Sequence, residues 1–320
     1  MVTALNQALR QEMEQDKRVV VLGEDVGVDG GVFRVTDGLV TQFGKDRVID
    51  TPLAESGIVG AAVGLAINGM KPVCEIQFSG FTYQAFGQIK QHMGQFRQRS
   101  TGTFTVPIVI RAPATGGVRA LELHSESPEA FYVHCTGLKV VMPSCPYDAK
   151  GLLIASIRDL DPVIFLEPMK LYRSFKEEVP DEMYTVPIGE AKVVREGKDL
   201  TIISWGAMLR LSLEAAEKMK EEGVDIEVID LRTLWPMDTE KILTSVKKTG
   251  RAVVVHEAPK TAGMGGEIAA RIQEKAILYL KAPVVRVTGY DVPFPQFAME
   301  NYYLPDMTRV LRGVRKALNF

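Results

Sequence analysis

The sequence predicts an α/β protein of two three-layer α/β domains, each a mostly parallel sheet covered by helices on both faces. Three observations predict it. Apolar runs of strand length alternate with segments of helical period along the whole chain, a rhythm that builds parallel sheets with helices on either side. The 320 residues are enough for two cores. A polar, proline-containing stretch without a clear period, Leu171 to Thr185, separates two such series and reads as a linker. The expected domains are therefore 1–185 and 186–320.

Leu5, Ala8 and Leu9 have helical spacing and open the chain as a helix. Arg18 to Leu22 is a buried strand, Gly30-Gly31 a turn, Gly38 to Phe43 a short helix and Arg47 to Asp50 a short strand. Glu55 to Met70 is an apolar helix whose Gly57, Gly60 and Gly64 fall on one face. Glycine costs about 1 kcal/mol per helical position relative to alanine, so that face is expected to receive a second helix or a backbone at close range. Lys71 to Ile76 is a strand, Phe81 to Phe96 a helix and Pro107 to Arg111 a strand. Ser127-Pro128-Glu129 has helix-start chemistry, a serine cap followed by proline at the first position. Leu138 to Met142 is a strand, Tyr147 to Ile157 a helix and Val163 to Leu166 the last strand of this half. Beyond the linker come strands at Leu200 to Ser204, Asp225 to Asp230, Arg251 to His256 and Val284 to Val287. Helices are expected at Met208 to Glu222, closed by Gly223, at Thr239 to Lys248, closed by Gly250, at Gly266 to Leu280 and at Met307 to Leu318.

Composition narrows the function classes. Hydrophobic residues make up 46% and charged residues 24%, with 38 basic against 40 acidic side chains. Such a balance carries no footprint of a nucleic-acid or membrane-surface binder. No apolar run approaches the roughly 20 residues a membrane helix needs. The opening MVTALNQALRQEMEQD has no apolar signal core, so a cytoplasmic protein is expected. Cys74, Cys135 and Cys145 form no CxxC pair, and no HExxH or Cys/His cluster appears, so neither a disulfide framework nor a transition-metal site is expected. The glycines of GMGGEIAAR, Gly263 to Arg271, lack the spacing of a phosphate loop, and no GxSxG elbow is present.

One segment carries chemistry. DTPLAESGIVG, Asp50 to Gly60, puts the carboxylate of Glu55 where a strand gives way to a glycine-rich helix. Read alone, Glu55 is as well explained as a helix-start acid, favoured there by about 0.3–1 kcal/mol. Its neighbours enlarge the reading: GEDVGVDGGVFRVTDGL (Gly23 to Leu39), DRVIDTPLAESGIVGAAVGLA (Asp46 to Ala66), KPVCEIQFSGFTYQA (Lys71 to Ala85), VPIVIRAP (Val106 to Pro113), ELHSESPEA (Glu122 to Ala130), GLKVVMPSCPYDAKGLLIASIRDLDPVIFLEP (Gly137 to Pro168) and the final MTRVLRGVRKALNF. In this order and over nearly the whole chain, these stretches resemble the beta subunit of the decarboxylating component of pyruvate and branched-chain 2-oxoacid dehydrogenase complexes.

The resemblance implies a pyrimidine-binding thiamine-diphosphate domain followed by a transketolase C-terminal-like domain. It places the family's activating glutamate on Glu55. There a carboxyl group hydrogen-bonded to the cofactor's N1′ turns the cofactor's own aminopyrimidine into the base that deprotonates C2. Phe81 matches the aromatic residue against the aminopyrimidine ring, where the plain alternative is a core phenylalanine. His124 matches a histidine at the mouth of the site that can meet the reacting substrate or the incoming lipoyl group, the plain alternative being a structural imidazole. A potassium site made mostly of backbone carbonyls maps onto Ile108, Ser156, Ile157, Asp159 and Asp161, with a capped helix end as its alternative.

The diphosphate motif of such enzymes is missing: Val28-Asp29-Gly30-Gly31 is only a superficial likeness, and no matching asparagine pair follows. The resemblance accounts for this with an alpha subunit that holds Mg²⁺ and the diphosphate, in an assembly of two alpha and two beta chains active only together. It also implies docking of the dihydrolipoyl acyltransferase core on the C-terminal domain, including the terminal carboxylate of Phe320. The competing readings are a transketolase-like enzyme, which needs a diphosphate domain that 320 residues cannot add, and a non-catalytic assembly or regulatory subunit. Which 2-oxoacid is processed stays open at this point.

Overall fold

The computed structural model describes all 320 residues, Met1 to Phe320. The first half runs α1 (Val2–Gln15), β1 (Val19–Gly23), α2 (Leu39–Phe43), β2 (Val48–Asp50), α3 (Glu55–Ile67), β3 (Lys71–Glu75), α4 (Phe96–Arg99), β4 (Val109–Ala114), α5 (Glu129–Val133), β5 (Lys139–Val141), α6 (Pro146–Arg158) and β6 (Val163–Pro168). The second runs β7 (Lys192–Arg195), β8 (Leu200–Ser204), α7 (Met208–Glu221), β9 (Ile226–Asp230), β10 (Thr233–Trp235), α8 (Thr239–Thr249), β11 (Ala252–Pro259), α9 (Met264–Ala276), β12 (Val285–Gly289), α10 (Glu300–Tyr303) and α11 (Met307–Leu318).

The strands form two sheets, ordered β10-β5-β6-β4-β3-β1-β2 and β12-β11-β8-β9-β7. All pairings are parallel except β10 on β5 and β7 on β9. Every residue of β1, β4, β6, β8 and β9 is buried, as strands covered on both faces must be. α1 lays Leu5, Ala8, Leu9 and Met13 against α6, and α6 begins with Pro146 at its first turn. Asp238 and Asp306 cap α8 and α11 by accepting the backbone N–H groups of Lys241 and Arg309.

Several expectations change. β10 comes from the second half of the chain yet closes the first sheet, so Val163 to Pro168 is not that sheet's only late strand. β7 and α10 add an antiparallel edge strand and a short helix that periodicity does not show. The region Phe81 to Phe96 is not one helix. It winds as tight turns over Ser79–Ala85, a wide turn over Gln88–Met93, then α4. Tertiary contacts override its helical pattern: a Cβ on Gly80 would fall on the carbonyl of Leu123, and Gly94 offers its carbonyl to the face of Gly137. Ser127 does not cap α5: Pro128 takes the cap position, and no side chain caps that helix. The linker is pinned, because Lys150 Nζ donates to the carbonyls of Pro180, Asp181 and Glu182 at 2.6, 3.2 and 2.9 Å. The close approach expected on the glycine face of α3 is not made within this chain: an added Cβ would meet open space at Gly60 and Gly64.

One buried polar group organises the first sheet. Arg111 on β4 donates Nε and Nη2 to Glu167 of β6 at 2.8 and 2.7 Å and Nη1 to Glu75 of β3, and Tyr172 donates its hydroxyl to Glu167. All four side chains are buried. Removing the single cation would leave two uncompensated carboxylates in the core. We therefore expect Arg111→Met to lose about 3–5 kcal/mol of unfolding free energy, read from urea denaturation. A loss below about 1 kcal/mol would show that the network does not hold the sheet.

Candidate active site

In an open parallel sheet, ligands bind outside the carboxyl ends of the strands. β1 and β2 end at Gly23 and Asp50, and their exits are tied together. Asp50 accepts the backbone N–H of Gly27 at 2.6 Å, and Thr51 N–H donates to the Gly23 carbonyl at 2.9 Å. The chain then turns through Pro52 into α3, whose first residue is Glu55, only 3% exposed. The cap position is Ala54, and no side-chain cap hydrogen bond is made, so Glu55 has a favourable dipole position but no capping bond. Glu24 stands beside it. Burial first, then the nearby charges of Glu55 and Asp25, raise the Glu24 carboxyl above its usual range. Glu24 Oε1 and Thr51 Oγ1 are buried without a hydrogen-bond partner. Two carboxyls and a hydroxyl, partly unsatisfied at the carboxyl edge of the sheet, suit a polar heterocycle with donors and acceptors along one edge.

The other two expected residues, Phe81 and His124, meet each other. Ser56 Oγ donates to the Gln84 carbonyl and so ties the start of α3 to the turn that carries Phe81. The Phe81 ring stands edge-on to His124 at 5.0 Å, and Phe78 packs on the same imidazole at 4.1 Å. His124 Nδ1 lies 2.7 Å from the Glu122 carbonyl. A carbonyl only accepts, so Nδ1–H is the donor in this bond and Nε2 is left without a partner in the chain. His134, at the end of α5, takes no part.

The five residues of the expected potassium site lie elsewhere, at the amino-terminal edge of β4 and the end of α6. Lys139 Nζ donates to both oxygens of Asp159 at 2.7 and 2.6 Å, and Arg97 pairs with Asp161. The Ile108 carbonyl accepts Val163 N–H and the Ser156 carbonyl accepts Asp159 N–H. The aspartate side chains thus already have cationic partners, and a cation here would rest on backbone carbonyls.

Sequence reasoning missed a second group of buried acids, between the loop that bears His124 and the second domain. Glu129 begins α5, and burial, with Glu257 nearby, pushes its carboxyl up to about 8. Its Oε2 has no partner. Burial raises Glu257, on β11, to about 7, against the hydrogen bond it accepts from Gly116 N–H. Glu300 accepts Gly117 N–H at 2.8 Å. His256 is stacked on Trp205 at 5.3 Å, accepts Gly265 N–H, and burial lowers it to about 4, so it is neutral. Glu129 lies within the matched motif ELHSESPEA, the only signal that pointed to it.

The fold and this edge-of-sheet site define the chain as a transketolase-type protein of two domains: the transketolase pyrimidine-binding domain matches residues 1–174 and the transketolase C-terminal domain residues 189–310. A solved structure described as a split gene transketolase, inactive beta4 tetramer, is similar at a TM-score of 0.82 and 25% identity, covering 99% of this chain and 97% of that one. Curated relatives are nearer. The pyruvate dehydrogenase E1 component subunits beta of Bacillus subtilis strain 168 and Staphylococcus epidermidis are 53% identical, and that of Staphylococcus aureus 52% identical, each over 100% of this chain and 98% of the relative. The chain belongs to the family of E1 component beta subunits.

The buried acids make stability depend on pH. Glu129 holds its proton more tightly folded than unfolded, so its contribution is fully present below the ordinary carboxylate range and is lost as pH rises toward about 8. Glu129→Gln removes that loss. The variant should gain on the wild type by an amount on the order of a few kcal/mol between pH 5 and pH 8.5, seen as a melting-temperature difference that widens with pH. A difference that stays flat would exclude a buried, protonated Glu129.

Proposed function

We propose that this chain is the beta half of a thiamine-diphosphate-dependent pyruvate dehydrogenase that decarboxylates pyruvate and passes the acyl group to lipoyl, its active site completed by an alpha subunit. The observation that carries the reading is Glu55, buried at the first position of α3 beside Glu24, with the turn that carries Phe81 tied to the same helix start through Ser56. The preference for pyruvate over branched-chain acids follows the names of the relatives at 52–53% identity over the full chain. Chain length does not decide against a transketolase, since one solved neighbour is itself a split one. The far higher identity to the E1 subunits does.

When bound, thiamine diphosphate supplies the electron sink for decarboxylation. The residues at the Glu55 edge fit its pyrimidine end. Glu55 would hold or share a proton at N1′ of the aminopyrimidine. Glu24 stands beside it, its carboxyl raised by burial and by the neighbouring charge of Glu55. Phe81 would pack against the ring, and His124 Nε2 would exchange a proton with substrate or lipoyl at the mouth. Mg²⁺ and the diphosphate fall to the alpha subunit. Potassium, where bound, would sit on the backbone carbonyls at Ile108, Ser156, Ile157, Asp159 and Asp161 rather than on the two aspartate carboxylates.

The chain also shows an unfinished surface. Two prominent clefts, of about 820 and 650 Å³, are lined by residues other than Glu55, Phe81 and His124. Around the site Val28 and Leu53 are 76% and 77% exposed, Leu121 stands out similarly, and the glycine face of α3 is bare. These surfaces suit a partner chain that completes the pocket. At the far end Phe320 is 80% exposed, which suits docking of the acyltransferase core on the C-terminal domain.

With its alpha partner the chain should decarboxylate pyruvate, and alone it should not. Glu55→Gln in the assembled enzyme should lose about 10²–10⁴-fold in kcat, measured with an artificial electron acceptor. Full activity of that variant would sink the assignment, and activity of the isolated chain would sink the shared site. Gly60→Leu should leave the fold of the isolated chain unchanged in circular dichroism yet prevent copurification with the alpha subunit. Normal assembly of that variant would remove the α3 face from the interface.

A further inference from the structure

The segment from Thr115 to Glu126 leaves β4 at its carboxyl end and carries His124. Its backbone is unusual. Thr115, Gly117, Arg119 and Leu123 all have positive φ, at 69, 96, 55 and 64°. Three of these are not glycine, and such residues cost on the order of 1 kcal/mol or more each unless surrounding structure holds them. The holding groups come from the other domain. Glu257 of β11 accepts Gly116 N–H. Glu300 of α10 accepts Gly117 N–H at 2.8 Å and Arg119 N–H at 3.2 and 3.0 Å through its two oxygens. Both carboxyl residues are buried, so these bonds face little competition from water.

A Cβ on Gly116 would fall on the Phe294 ring, and Gly117, whose φ is 96°, lies against the side chain of Lys170, so both positions favour glycine. The loop's far end is closed separately. The Glu126 carbonyl accepts Thr115 N–H at 3.0 Å and Ser79 Oγ–H at 2.9 Å. Between the two ties, the Leu123 carbonyl rests on Gly80, one residue before Phe81. A loop tied at both ends, with its middle resting on the turn that carries Phe81, sets where the imidazole stands.

We infer that Glu300, seconded by Glu257, is a positioning residue. From the second domain it fixes the backbone of the loop that presents His124 to the reaction. The inference rests on the reading of His124 given above. A carboxyl that only glued the domains together would affect stability. One that acts through His124 must affect catalysis by way of that residue.

The test uses the assembled alpha-beta enzyme in four forms: wild type, Glu300→Ala, His124→Ala and the double variant. Glu300→Ala is expected to lower kcat for acyl transfer to a lipoyl domain about 10–100-fold with the KM for thiamine diphosphate unchanged. In the His124→Ala background the same substitution should cost nothing further, because the group it positions is gone. Glu300→Gln keeps one acceptor oxygen and should recover most of the loss. Glu300→Asp, whose shorter side chain cannot reach both N–H groups, serves as the test variant should Glu300→Ala fail to fold, since it should then lower kcat in the wild-type background alone. Amide hydrogen exchange at residues 116–124 should speed up in Glu300→Ala, a readout that does not depend on activity. Losses that multiply in the double variant, or unchanged exchange in this loop, would overturn the inference and leave the enzyme assignment standing. A wild-type assembly without decarboxylase activity would overturn the assignment itself, and with it the link to catalysis.

Discussion

The arrangement at the carboxyl edge of the first sheet depends on one buried guanidinium. Arg111 reaches from β4 to Glu75 on β3 and Glu167 on β6, so one cation gathers the exits of three adjacent strands. Each exit leads to a part of the site. β3 runs into the turn that holds Phe78 and Phe81, β4 into the loop with His124, and β6 into Lys170, against which Gly117 packs. Gly31, in the loop after β1, closes on Glu75 from the side. One positive charge faces two carboxyls, and burial raises Glu75 despite Arg111. Such a network adds little net stability over an apolar core, but it tolerates only one relative placement of its strands. That placement is what a site assembled from three loops requires.

The contrast between Glu55 and the acids behind His124 shows how this fold uses burial. Glu55 lies at a helix start with a second carboxyl at its side, and Glu24 Oε1 and Thr51 Oγ1 near it are left without a hydrogen-bond partner. Glu257 and Glu300 are buried just as deeply, but backbone N–H groups occupy them. Glu24 keeps an unused acceptor beside Glu55, whereas Glu257 and Glu300 are spent in holding a loop. Burial alone therefore does not mark a reacting group, and the orphaned Oε2 of Glu129 shows that an unpartnered atom alone does not either.

Local signals in the sequence were read correctly where local forces decide. α11 falls on Met307–Leu318 as expected because Asp306 caps it, and α8 stops at Gly250 because φ there is 75°. The two-sheet α/β plan follows from the alternation of apolar runs, and the family resemblance follows from ordered motifs. What was not legible is non-local. β10 has only three residues, and its partner β5 lies more than 90 residues earlier, so nothing in its own composition marks it as an edge of the first sheet. The winding of Ser79 to Met93 departs from its helical pattern because Gly80 and Gly94 are set by contacts with Leu123 and Gly137. Nothing in the sequence marks Glu257 and Glu300, since their partners are backbone amides more than 140 residues away.

These long-range ties bear on what the second domain does. β10 extends the first sheet, Arg232 donates to Asp148 on α6 at 2.7 and 3.0 Å, and Asp230 accepts the hydroxyl of Ser144 at 3.0 Å. Burial, then the charge of Asp148, pushes Asp230 up to about 7. With Glu257 and Glu300, these contacts make the second domain a structural part of the half-site rather than a tethered neighbour. Through β11 and α10 the second domain therefore reaches the backbone of the Thr115–Glu126 loop itself.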